Sequence, residues 1–476
     1  MNQDQIPAPS PTPVVGWIGN ALRFFGNPVD YMVALRDRFG SVACLVEQQH
    51  PPLIIDSPQP KGHTFFGFGA ECNRQILTQT EDFQSTPIRH PKTESFNQLS
   101  EHILFMHGER HARARRLIGT AFTKTHINHY HDDMIGQTER RIRSWRAGQR
   151  IDLLAEMHKL SVDIATQCFF GVEPSASLES LAAKAVAMIN LSTFPPAMIP
   201  IKLPGSPYSR LCRMADEVVA AIRKEIDQRR AEGATTNDFL STMVREHGAA
   251  GLSDDELVGQ TFVLFLVGHD TTACALTWTL FLLAQHPEVA AALLDELDEQ
   301  LGGDPPAPDQ IGKLTVLDRV IKESLRVLCP AVMFPRVAAR DTALGGRPVP
   351  AGSEIFYSPY VTHIDPDVYT EPKTFDPDRW LSIKPSSFEY LAFGHGRHNC
   401  IGAAFGNLEL RIILSIILQR FRLQIIPRTK IDLKTVAVMA PKGGLPMRVQ
   451  PQDRQFASSP GEVRGYIRQM VDLTAA

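Results

Sequence analysis

Apolar residues recur at helical spacing through most of this chain. From about residue 70 to residue 340 the rhythm is mainly that of helices, clearest over 139–146, 217–232, 254–285 and 287–301. The run 254–285 is long and apolar, which predicts a buried helix. Short apolar runs at 41–47 and 52–56 predict two strands of a small sheet. Residues 337–361 predict further strands, with Gly345-Gly346 and Gly352 as turns. Proline and glycine break the pattern elsewhere. Residues 302–308 predict a loop, and 362–399 a long irregular segment. Residues 1–27, with Pro7, Pro9, Pro11 and Pro13, predict an extended lead-in. The pattern predicts a mainly α fold with minor β, an α+β class. Residues 451–476 are expected to form a mobile tail, although 462–473 has amphipathic spacing.

Composition narrows the function classes. The chain has 476 residues, 43% hydrophobic and 21% charged, which suits a globular protein. Lys plus Arg is 49 against Asp plus Glu 52, a net charge of −3, so nucleic acid is not an expected partner. Seven cysteines without a C-x-x-C pair predict neither a disulfide framework nor a zinc site. The N-terminal stretch lacks the basic and apolar regions of a secretory signal. The longest apolar runs, at 262–267 and 412–418, fall short of the ~18 residues a membrane span needs.

Candidate chemistry concentrates in a few places. Phe393 to Gly402 read Phe-Gly-His-Gly-Arg-His-Asn-Cys-Ile-Gly, just ahead of a helical stretch. A thiol near a helix N-terminus meets the positive end of the dipole and unpaired N–H groups, and both favour the thiolate that binds metal. Gly394, Gly396 and Gly402 permit positive φ and close approach to a flat partner. One thiolate beside a large apolar face suits haem. In the middle of 254–285 stands Val267-Gly268-His269-Asp270-Thr271-Thr272. An acid and two hydroxyls are costly in a buried helix, and threonines bonding back to the i−4 carbonyl bend it. Glu323 and Arg326 stand at i, i+3, and His111 and Arg115 at i, i+4, so each pair shares a helix face.

The cysteine loop resembles that of the cytochrome P-450 family of haem-thiolate monooxygenases, soluble bacterial type. Phe393, Gly396, Cys400 and Gly402 match its pattern in order, and Gly268, Asp270, Thr271 and Thr272 match its distal-helix pattern. Joined to the missing signal and span, this likeness leads us to expect a soluble, cytoplasmic, prokaryotic protein. The resemblance implies a single large domain over 28–450, with haem b, iron protoporphyrin IX, between the long helix and the cysteine-loop helix. It implies Cys400 as the axial ligand with Phe393 beside the sulfur. Thr271 would hydrogen-bond the oxygen being activated, and Asp270 would relay protons to it. Val267 departs from the small residue usual there and puts the shape of the distal pocket in question. Arg379, in Phe375-Asp376-Pro377-Asp378-Arg379, would join Glu323 and Arg326 in a structural triad. His111, Arg115, Arg336 and His398 would serve the propionates. The resemblance further implies Phe262, Phe265, Leu266, Val267, Val332, Met333 and Met439 as substrate contacts, hence an apolar substrate.

Arg110, Arg113, Arg116 and Arg397 are expected to form a basic patch for an acidic redox protein. No flavin or nicotinamide fingerprint is visible, since Gly67-Phe68-Gly69 lacks a third glycine. Electrons are therefore expected from a ferredoxin or flavodoxin with its reductase, delivered to a monomer. His126, His129, His131, Asp132 and Asp133 have a spacing that suits no common metal site. The leading reading is a monooxygenase consuming O2. The alternatives are a haem-thiolate peroxygenase or isomerase, and a non-catalytic haem-thiolate binding protein.

Overall fold

The computed structural model describes residues 7–57, 62–236, 238–250, 252–435, 438–456 and 461–473. The long apolar stretch becomes one helix, Asp254–Gln285, and serves as the spine of the core. Ser253 starts it with a capping box: its hydroxyl accepts from the Glu256 N–H at 3.1 Å, and Glu256 accepts from the Ser253 N–H at 3.0 Å. Such a cap stabilises a helix by about 1 kcal/mol. Asp254, Asp255 and Glu256 complement the dipole in the first turn. Pro287 starts the next helix, Pro287–Leu301, at its first turn, where the missing N–H costs nothing. By length and composition Asp254–Gln285 suffices to cross a membrane, but 72% of its apolar window is buried inside the protein. It packs on Leu153–Phe170, Glu94–Ser100, Thr315–Val327, Ala403–Arg420 and Pro207–Ala231.

The main sheet has five strands in the order Val42–Cys44, Thr64–Gly67, Glu354–Tyr357, Phe334–Ala338, Phe83–Gln84. Thr64–Gly67 runs parallel to Glu354–Tyr357 with Thr64 opposite Glu354; the other pairs are antiparallel. The strand expected at 52–56 does not form. Pro51 and Pro52 have no N–H to give. The next three amides, Leu53, Ile54 and Ile55, donate to the Glu354 carboxylate at 2.9 to 3.0 Å. The sheet instead takes the fully buried Thr64–Gly67.

Both ends differ from expectation. The lead-in is extended only at first, since Trp17–Gly26 is a helix whose Phe24 is fully buried. The expected tail is largely docked. Val463–Arg464 pairs with Thr429–Lys430, and Ile467–Met470 is a short helix. Val463, Ile467, Met470 and Val471 are at most 2% exposed. Burying each such side chain is worth about 1.5–3 kcal/mol, which outweighs the entropy that otherwise frees a terminus. The runs 139–146 and 217–232 fall at the ends of longer helices, Lys124–Ile142 and Pro207–Ala231.

Candidate functional site

The Cys400 loop is shaped by two glycines. Gly394 and Gly396 have φ of 67° and 73°, and a Cβ on Gly396 would sit 2.8 Å from the Leu77 carbonyl oxygen. Gly402 differs from expectation: its φ is −86° and a Cβ there meets only ordinary contacts. Its contribution is the backbone N–H. The Cys400 N–H donates to the Phe393 carbonyl at 2.8 Å, folding the loop back on the half-buried Phe393. Burial pushes the Cys400 thiol up, and the Gly402 N–H and the Arg115 guanidinium pull it back toward the thiolate. The thiol is enclosed by protein yet accessible to solvent, so it lines a cleft.

The long helix presents a stripe to solvent in its otherwise buried middle. Leu264, Val267, Gly268 and Thr271, spaced i, i+3, i+4, i+7, are accessible, Val267 to 36%. A Cβ on Gly268 would reach within 2.7 Å of Phe169, whose ring lies 5.1 Å from Phe405 in the helix that follows the cysteine loop. Phe122 touches Phe405 and stands next to Gly402. The open stripe and the open thiol therefore flank the same aromatic cluster. The hydroxyls of Thr271 and Thr272 donate to the carbonyls of Val267 at 2.7 Å and Gly268 at 3.1 Å. With its proton engaged there, the Thr271 hydroxyl presents lone pairs to the cleft.

Asp270 points into the protein. Burial pushes its carboxyl up to about 6, partly offset by the attraction of Lys434. His158 Nε2, on Leu153–Phe170, stands 3.5 Å from its Oδ1. His158, Asp270 and Cys274 bring one ligand atom each within 4.8 Å of one another, whereas His126, His129 and their neighbours form no such group among the described residues.

A set of cations gathers beside the cysteine loop. The His111 and His398 rings lie 3.9 Å apart. Burial lowers His111 to about 4, helped by Arg115, Arg397 and Arg336. Burial likewise lowers His398 to about 3, helped by His111, Arg336, Arg115 and His107. Among the described residues, no carboxylate is one of the charges that shift either imidazole. Arg336, on the strand Phe334–Ala338, is 7% exposed and lies over the Tyr357 ring. Arg115 donates to the Asn399 carbonyl at 2.8 Å and to its side chain. Two arginines, Arg115 and Arg336, beside two imidazoles that burial keeps neutral but able to donate an N–H, make a receptor for anions.

Behind the site, Glu323 and Arg326 are 0% exposed and paired at 2.7 and 2.9 Å. Arg379 Nε, Trp380 Nε1 and the Asp376 N–H also donate to Glu323, at 3.0, 3.0 and 3.1 Å. Arg326 continues to the carbonyls of His363, Pro372 and Thr374. The irregular segment before the cysteine is therefore fastened to the helix Thr315–Val327.

The cytochrome P450 family model matches residues 7–446. The chain belongs to the cytochrome P450 family. The cofactor of this P450 is haem, and the family chemistry is that of an oxidoreductase and monooxygenase. It is 33% identical over 355 residues to cyclooctatin synthase of Streptomyces melanosporofaciens, covering 72% of this chain and 77% of the relative. It is 27% identical over 449 residues to pentalenene oxygenase of Streptomyces avermitilis, covering 90% and 93%. A solved structure of the retinoic acid-bound cyanobacterial CYP120A1 superposes with a TM-score of 0.80 at 24% identity, covering 94% of this chain and all of that one.

The residues of this P450 fit haem: an accessible thiol, an apolar stripe near it, and two arginines with two imidazole donors for two carboxylates. Phe262, Phe265, Val332 and Met439 are 4% exposed or less and pack in the core. Phe265 lies edge-on to Phe170, and the Met439 carbonyl accepts from Trp278 Nε1. Leu266, Val267 and Met333 stay accessible. Arg110 and Arg113 stay accessible, but carboxylates neutralise them: Arg110 pairs with Glu101 and Glu256, and Arg113 with Glu256. The sequence reading missed Leu264, although i, i+3 spacing from Val267 marks it. It also missed His158 and Lys434, which only the folded chain brings to Asp270.

Proposed function

We propose that this P450 inserts one oxygen atom of O2 into an apolar, alicyclic, terpenoid-like substrate, by hydroxylation or epoxidation. Haem, when bound, supplies oxygen activation and transfer. Cys400 would hold its iron, with Phe393 and the Gly402 N–H beside the sulfur. His111, Arg115, Arg336 and His398 hold the propionates. Thr271 accepts a hydrogen bond in the cleft, and Asp270 feeds protons to that point. Glu323, Arg326 and Arg379 keep the cysteine loop in place. Leu264, Leu266, Val267 and Met333 present a hydrocarbon surface to the substrate. The names of three relatives, cyclooctatin synthase, cyclooctat-9-en-7-ol 5-monooxygenase and pentalenene oxygenase, support the substrate class. Electrons come from a ferredoxin or flavodoxin with its reductase, and the enzyme works as a cytoplasmic monomer.

What carries the reading is the open Cys400 thiol and the open stripe with Thr271 flanking one aromatic cluster, with Asp270 next to Thr271 on the same helix. The acid–alcohol pair weighs against a peroxygenase, an isomerase or a binding protein, none of which needs it. The test is a visible spectrum of the reduced, CO-bound protein, followed by titration with cyclic terpenes. A far-red-shifted Soret band that disappears in Cys400→Ala, and a low-to-high-spin shift with ligand, are the expected results. A band at the histidine-ligated position in the native protein overturns the ligand assignment. A spin shift with fatty acids but none with terpenes overturns the substrate class.

A further inference from the structure

We propose that His158 is the positioning residue through which solvent protons reach Asp270. This rests on the reading of Asp270 as the proton carrier and adds where its protons enter. The Asp270 side chain is 10% exposed, whereas the His158 side chain is 27% exposed and offers the wider contact with water. Its Nε2 faces the Asp270 carboxylate oxygen at 3.5 Å. One side chain thus touches both the solvent and the buried acid. The two helices that carry the pair lie packed along each other, which fixes the approach.

The other groups around Asp270 do not offer the same route. His269 is 1% exposed, lowered to about 4 by burial, and its Nδ1 is engaged with the Phe265 carbonyl at 2.6 Å. Cys274 is fully buried, and burial pushes its thiol well above the usual range. Lys434, on the hairpin strand Leu433–Thr435, attracts the carboxylate electrostatically. Asp152 raises His158 slightly against the lowering by burial. Burial thus brings the imidazole down and the carboxyl up, so their proton affinities converge. A hop between groups of matched affinity has little cost in either direction. The imidazolium gives its Nε2 proton to Asp270 Oδ1 and is reprotonated by water. Asp270 would hold that proton beside Thr271, where haem, when bound, would supply the oxygen chemistry.

The experiment compares haem-loaded wild type, His158→Gln, His158→Asn and Asp270→Asn. It measures product formed per electron consumed, the solvent isotope effect on kcat, and the infrared titration of the carboxylic C=O band that Asp270→Asn removes. In both His158 variants the CO-bound spectrum and KM should stay at wild-type values. Their kcat should fall about tenfold with a larger solvent isotope effect. The Asp270 band should titrate at higher pH, because a neutral amide no longer attracts the carboxylate. Unchanged isotope effect and unchanged titration in either folded variant overturn the role of His158. Should Asp270→Asn uncouple the enzyme while the His158 variants do not, the entry point is wrong and the carrier stands. Wild-type coupling in Asp270→Asn removes the carrier itself.

Discussion

Glu323 and Asp270 are both carboxylates sunk in core helices, yet their surroundings are opposite. Glu323 receives donors from Arg326, Arg379, Trp380 and the Asp376 backbone. Asp270 has one imidazole at 3.5 Å and the attraction of Lys434. Burial costs a charge several kcal/mol unless partners return it. Where they do, the carboxylate fastens distant segments together. Where they do not, it sits near its titration point and can exchange a proton. The same residue chemistry gives a fastener in one place and a proton carrier in the other. Glu409 is a third case: it is buried beside the Ser161 hydroxyl, its Oε1 has no hydrogen-bond partner among the described residues, and burial pushes it to about 8.

The contrast can be broken most severely at Glu323. Glu323→Ala leaves two buried arginines uncompensated and should cost about 3–5 kcal/mol. Urea unfolding and haem content after purification would read that loss; a wild-type midpoint would mean that the arginines find other partners. At Asp270 the expected damage is to turnover. Asp270→Asn should fold and take haem normally while kcat falls about a hundredfold, which stopped-flow reduction and product analysis would check. Glu409 tests the pH side. Its folded-state affinity for the proton is raised, so the unfolded chain loses that proton first as pH rises. Stability should therefore fall between the ordinary carboxyl range and about 8. The slope is about 1.4 kcal/mol per pH unit, and Glu409→Gln should flatten it in urea titrations at several pH values. The smallest effect concerns fit. Val267→Ala removes two methyl groups from the open stripe and should improve kcat/KM for a bulkier terpene about tenfold.

Much of this was legible in the chain because it is local. A capped, apolar run announces the long helix, and the spacing of Phe393, Gly396, Cys400 and Gly402 announces the loop. Glu323 and Arg326 share one turn. What was not legible depends on partners far apart along the chain. Thr64–Gly67 is a strand because Glu354–Tyr357 lies beside it. Amides 53–55 leave the sheet because Glu354 takes them. Phe265 resembles a pocket residue by position and becomes core because Phe170 meets it. Arg110 and Arg113 look like a surface patch until Glu256 arrives from another helix.

Residues 461–473 close on parts made long before them. The Tyr466 hydroxyl bonds to Asp30, and Tyr360 donates to the Met470 sulfur at 3.4 Å. The Asp472 N–H donates to the Lys373 carbonyl at 3.0 Å, and its carboxylate accepts from Thr374 at 3.2 Å. Thr374 is also one of the carbonyls that Arg326 grips. A ribosome adds about 5–20 residues per second, so for a second or more the segment holding the arginines is exposed without its buttress. During that interval the nascent chain presents the apolar seat of Val463, Ile467 and Met470 to solvent, and chaperone occupancy should peak there.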